Sequence, residues 1–164
     1  TRNIGLIAHM AYEWCQRLGD MRMLVWDNID FETQTVHIEQ SKRHADVHLP
    51  IEDDLFEMLK QQEQDFGFQK YVAPRPYAIQ GEYRPYSLQK LPLYGRALMD
   101  AAGLSKELRL SDLRRTGTTE MVEAGVGMGQ IMSVTGHANP SSVKPYMKNT
   151  RKSAELALTA RKNS

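Results

Sequence analysis

The sequence predicts an α+β domain, mainly helical, with one small antiparallel sheet near the first third of the chain. Apolar residues recur at helical spacing from the start, in Ile4, Ile7, Ala8, Ala11 and Trp14. Two short runs, Thr35–Glu39 and Asp46–Pro50, alternate as strands do. A chain of 164 residues is long enough for one hydrophobic core and short for two.

Taken in order, residues 3–15 form a first helix and residues 18–25 a second, shorter one. Trp26-Asp27-Asn28-Ile29-Asp30 reads as a turn, because Asn and Asp side chains bond nearby backbone. Residues 41–45 separate the two strand runs, which therefore pair as an antiparallel hairpin. Residues 51–66 make an amphipathic helix stopped by Gly67. Pro74, Pro76, Gly81 and Pro85 make residues 68–86 the least regular stretch. A helix over 87–102 tolerates Pro92 and ends at Gly103. Ser111 caps a helix over 112–124 that closes at Gly125. Residues 128–134 are a short helix ended by Gly136. Asn139-Pro140-Ser141-Ser142 begins a helix that ends near Tyr146, and the basic segment 151–161 is a final helix. Met121, Met128, Met132 and Met147 sit at core-like spacing.

Apolar content of 41% and charged content of 25% suit a soluble globular domain. No run approaches the roughly 20 apolar residues of a membrane span, and no signal peptide opens the sequence. Cys15 is the single cysteine, so no internal disulfide forms and a reducing compartment is expected: cytoplasm or nucleoid. A net charge of +1 is low for a nucleic-acid binder, but the charges are segregated. Residues 52–66 hold six acids against one base, and residues 141–164 hold six bases against one acid. One face can be cationic on a nearly neutral chain.

Three separated boxes carry a family resemblance. The first runs from Arg17-Leu18-Gly19-Asp20 to the Trp26–Asp30 turn, the second is Ser111-Asp112-Leu113-Arg114-Arg115-Thr116 followed by Gly125, and the third is Thr135-Gly136-His137-Ala138-Asn139-Pro140. Tyr146 stands nine positions after His137, and Lys42 lies in the hairpin turn. In order and internal spacing these boxes resemble the catalytic domain of the tyrosine recombinases, the phage integrase family. The resemblance runs from Arg17 to beyond Tyr146.

That resemblance implies a site-specific DNA recombinase of a phage or other mobile element, acting on double-stranded DNA without metal or other cofactor. The chemistry asks for such a residue set. A tyrosine hydroxyl is protonated at rest and needs help to attack phosphorus. Two guanidiniums give permanent, planar donors for phosphate oxygens. By resemblance, Arg17 and Arg114 clamp the scissile phosphate and Lys42 protonates the departing 5′ oxygen. His137 hydrogen-bonds the phosphate, and Tyr146 becomes a 3′-phosphotyrosine. Arg43, Arg115, Lys144 and Lys148 are candidate DNA contacts. The family's usual histidine is replaced here by Ser111, which can hydrogen-bond but cannot exchange a proton near neutral pH. Ser111 is expected to keep a positioning role.

The family also implies an N-terminal helical domain and a tetramer on two duplexes. Nothing here resembles that extra domain, so residues 1–164 read as a catalytic domain taken from a longer protein. Residues 147–164 are a candidate tail for packing on a neighbouring protomer, and the isolated domain is expected to be a monomer.

Plainer readings exist for each residue. Arg17 alone is a surface ion-pair residue, with Asp20 one turn on as its partner. Lys42 is a solvated turn residue with Arg43 as its rival for any role. Ser111 is an N-cap, Arg115 a packing residue, His137 a cation at a helix end, and Tyr146 a core tyrosine. Two further functions follow from these readings: a degenerate relative that binds DNA without cutting it, and a helical protein-interaction module whose motifs are fortuitous.

Overall fold

The computed structural model describes residues 2–147 and 151–164. Helix α1 (Arg2–Glu13) is the hub, contacted by α2 (Leu18–Met21), α4 (Leu91–Ala101) and α5 (Leu113–Glu123). Its buried residues Ile4, Leu6, Ile7, Met10 and Ala11 seed a single core with Trp14, Met21, Leu24, Leu55, Leu59 and Leu91. Asn3, also buried, is satisfied on both ends of its amide. It donates to the Pro74 carbonyl and accepts from Gln62 Nε2, which also donates to the Val72 carbonyl. That knot ties α1 to α3 (Asp53–Phe66) and to the irregular stretch that follows.

The sheet is antiparallel in the order β1 (Ile29–Asp30), β2 (Thr35–Glu39), β3 (Asp46–Pro50). Val36 pairs with Leu49 and Ile38 with Val47, and all four side chains face the core. His37 and His48 pair on the exposed face with stacked rings 4.2 Å apart. The hairpin agrees with its expected limits. Strand β1 is an addition to it: two residues are too few to show a period in sequence.

Several elements differ from expectation for local reasons. Helix α2 is a single turn, because the chain then swings to place the Leu24 carbonyl on the Val72 N–H. Helix α3 does stop at Gly67 as expected, in a right-handed conformation. Helix α4 starts at Leu91 with Pro92 in its first turn, where a missing N–H costs nothing. Ser111 caps nothing: residues Leu110–Asp112 form a 3₁₀ turn that runs straight into α5, whose N-cap is Asp112. After α6 (Met128–Thr135), one expected helix is replaced by two 3₁₀ turns, Pro140–Ser142 and Lys144–Tyr146. Pro145 has no N–H to continue a helix through them. Met147 is exposed and outside the core.

Helix α7 (Arg151–Lys162) closes the chain. Its Leu156 approaches Gly125, where the backbone leaves α5 with φ of 79°. Leu158 stays exposed on the same helix.

Candidate active site

Arg17 follows the buried run Trp14-Cys15-Gln16 and sits in extended conformation at the mouth of α2. Arg114 lies in the first turn of α5. Helices α1 and α5 can bring these residues together because Gly117 allows close approach. A Cβ there would lie 2.5 Å from Cys15 Sγ and 3.0 Å from the Tyr12 carbonyl oxygen. Burial, and then the charge of Arg17, pull the Arg114 pKa down to about 10. The negative charge of a deprotonated Tyr146 acts on Arg114 in the opposite direction. Arg17 Nη1 and Arg114 Nη1 are both buried, and among the described residues neither has a hydrogen-bond partner. Donors of this kind are expensive to bury unless an acceptor meets them.

His137 joins this pair. It follows Gly136, which ends α6 in the left-handed conformation with φ of 72°. Its Nε2 lies 3.3 Å from Arg114 Nη2, and its Nδ1 lies 2.6 Å from Thr135 Oγ1. Burial lowers its pKa to about 4, helped by the charges of Arg114, Arg43 and Arg17 in that order. The ring is therefore neutral at pH 7.

Tyr146 is half-buried in the Lys144–Tyr146 turn, which packs on α5. Val143 anchors that turn in the core, and Asn139 stabilises the preceding one by accepting from the Ser141 N–H. The structure thus gathers Arg17, Arg114, His137 and Tyr146 around one positive locus.

The remaining expected residues stand further out. Lys42 and Arg43 are exposed in the hairpin turn, and it is Arg43 whose charge reaches His137. Asp20 does not hold Arg17. Its Oδ1 accepts from the Ser41 N–H at 3.2 Å, clamping the base of the Lys42 turn, while its Oδ2 has no partner among the described residues. Ser111 is exposed at the approach to α5, one turn before Arg114. Arg115 and Lys144 are exposed and suited to solvent or an anionic partner. Lys148 lies outside the described residues.

Three polar residues given no role in the sequence expectations lie beneath the site. Gln16, Gln40 and Thr135 are fully buried. Gln40 Nε2 donates to Gln16 Oε1 and to the Thr135 carbonyl, both at 2.7 Å. Gln16 Nε2 donates to the Trp14 and Val134 carbonyls. The segments bearing Arg17, Lys42 and His137 are joined at this knot. Gln40 had a signal in sequence: it continues the inward phase of Val36 and Ile38 along β2.

Among the described residues, no group of three or more His, Cys, Asp or Glu side chains is placed to hold a metal ion, and no helix is long and apolar enough to cross a membrane.

Residues 3–153 match the sequence model of the Phage integrase family. No curated protein matches the chain in sequence. Among solved structures, XerA recombinase is similar over 98% of this chain and 63% of its own, at 14% identity and a TM-score of 0.68. The Tn1549 transposon integrase, in complex with a circular intermediate DNA, is similar over 94% of this chain and 57% of its own, at 15% identity and a TM-score of 0.71. A lambda integrase dimer bound to a COC′ core site is similar over 91% of this chain and 43% of its own, at 20% identity and a TM-score of 0.69. The chain spans less than two thirds of the length of each, and at these identities the likeness is one of fold.

Proposed function

The chain belongs to the phage integrase family, and from that premise we propose that it breaks and rejoins DNA at specific sites through a 3′-phosphotyrosyl intermediate on Tyr146. The observation that carries this reading is the pair of buried donors, Arg17 Nη1 and Arg114 Nη1, unpartnered among the described residues, with Tyr146 near enough for its charge to act on Arg114. Two guanidiniums held close together repel each other, and a phosphodiester between them removes that cost while accepting their N–H groups. The same contacts strengthen as charge grows on the phosphate oxygens in the transition state, which is where they accelerate the reaction.

In the reaction, Tyr146 Oη forms a bond to phosphorus and gives its proton to water. The bond from phosphorus to the 5′ oxygen breaks, and that oxygen leaves with a proton from Lys42. Attack by a second DNA end on the phosphotyrosine reverses these steps without ATP. The hairpin turn carrying Lys42 is exposed, so its ammonium is free to meet the leaving oxygen. Arg115 and Lys144 supply backbone contacts along the duplex, with Lys148 as a further candidate. A tetramer on DNA, a tail over residues 147–164 that docks on a neighbour, and a mobile element as the source complete the reading.

Trapping of a covalent adduct tests it. The full-length product is mixed with a nicked duplex taken from the ends of the element that carries the gene. An adduct that Tyr146→Phe abolishes is the expected result. DNA binding with no adduct would identify a degenerate relative that binds without cutting, the reading favoured by Ser111 in place of a titrating side chain.

A further inference from the structure

We propose that Thr135 is a positioning residue for His137: it holds the ring as the Nδ1–H tautomer, so that Nε2 faces the guanidinium pair as a hydrogen-bond acceptor. This rests on the reading of His137 as part of the reaction site.

The chain of assignments starts at Arg114. A guanidinium has donors and no acceptor, so the contact at 3.3 Å between Arg114 Nη2 and His137 Nε2 requires a lone pair on Nε2. A neutral ring with a bare Nε2 carries its proton on Nδ1. That N–H has Thr135 Oγ1 at 2.6 Å as its acceptor. Thr135 can accept because its own hydroxyl hydrogen is committed to the Ile131 carbonyl, 2.9 Å away. The His137 backbone N–H adds a weaker contact to the same oxygen at 3.4 Å. One buried hydroxyl therefore sets both the rotation of the ring and the location of its proton.

The surroundings support the same state. Every charged group that acts on the ring is cationic, namely Arg114, Arg43 and Arg17, and each opposes a second proton. Thr135 is itself held in place: it is fully buried in the last turn of α6, and its carbonyl accepts from Gln40 Nε2. A ring fixed this way can take a proton at Nε2 and at no other atom. Taking one converts Nε2 from an acceptor into a donor toward a bound phosphodiester. Ser111 has no comparable capacity.

The test is ring-nitrogen NMR on the 164-residue chain labelled at histidine, with His137 assigned by loss of its signals in His137→Gln. We expect Nδ1 protonated and Nε2 bare at neutral pH. Thr135→Val should lose that pattern and slow adduct formation on the order of 10-fold at unchanged DNA affinity, by analogy with the cost of removing the hydrogen-bond partner that orients a metal-ligating histidine. Thr135→Ser should restore both. A parent ring protonated at Nε2, or an Nδ1–H pattern that survives in Thr135→Val, overturns the proposal. If Thr135→Val does not fold, the parent pattern and Thr135→Ser decide it. An Nδ1–H ring in a parent that forms no adduct upholds the tautomer and counts against the recombinase reading alone.

Discussion

Gln16 and Gln40 are both fully buried and are joined by a 2.7 Å hydrogen bond between their side-chain amides. Each lies next to a segment that the chemistry needs: Gln16 precedes Arg17, and Gln40 directly follows β2 on the way to Lys42. Gln40 also holds the Thr135 carbonyl, two residues before His137. Replacing it with leucine keeps the volume but strands two acceptors in the core. Gln40→Leu should lose about 1–3 kcal/mol of stability, measured by denaturant unfolding. Adduct formation should fall further than that loss of folded protein accounts for. Unchanged cleavage by the folded fraction would reduce the knot to a stability element.

Gly117 separates α1 from α5 by less than a methyl group. In Gly117→Ala, the new Cβ meets Cys15 Sγ and the Tyr12 carbonyl, and backbone cannot yield cheaply. Overpacking of this kind costs about 1–3 kcal/mol. The two arginines should be driven apart as well, so affinity for a DNA duplex should drop in a gel-shift titration. Cys15→Ala in the same chain should recover part of both, because it removes the nearer clash.

Lys42 and Arg43 make opposite predictions at the leaving group. Lys42→Ala should slow cleavage roughly a hundred- to ten-thousand-fold, the usual span for loss of a general acid. A substrate with sulfur in place of the bridging 5′ oxygen should restore the rate, since a thiolate leaves without a proton. Arg43, whose charge reaches His137, should not show this rescue. Sulfur rescue of Arg43→Ala with none for Lys42→Ala would exchange their roles.

His137 gives stability a defined pH dependence. Its folded pKa is about 4, against 6.5 for an unperturbed histidine, so the unfolded chain binds the proton more readily. Its contribution is complete above 6.5 and is lost as pH falls toward 4. Denaturant midpoints of the parent should decline through that window, and His137→Gln should flatten the slope. An equal slope in both would place the titration elsewhere.

Ser111 is exposed and caps no helix. Ser111→Ala should therefore unfold like the parent, and any effect should appear only in the rate of adduct formation. A change in stability would show a structural duty at this position.

Much of the molecule was legible along the chain. The hairpin limits, the helix termini at Gly103, Gly125 and Gly136, and the spacing from His137 to Tyr146 are local facts. Alternation, left-handed glycines and motif intervals need no distant partner to be recognised. Arg17, Arg114, His137 and Tyr146 were singled out by the resemblance of their boxes, and their roles belong to the proposed function.

Other features depended on contacts between distant residues. Asp20 lies one turn from Arg17, yet its carboxylate turns to a backbone N–H beyond two strands. The Ser111 segment continues as a 3₁₀ turn into α5, and Pro145 divides the helix expected before Tyr146. The tautomer of His137 follows from an arginine 23 residues away and a threonine already committed to its own helix. Hydrogen-bond donors and acceptors are assigned by what lies within about 3 Å in space, and for these groups the partners are brought there only by packing α1, α5, α6 and the hairpin around one core.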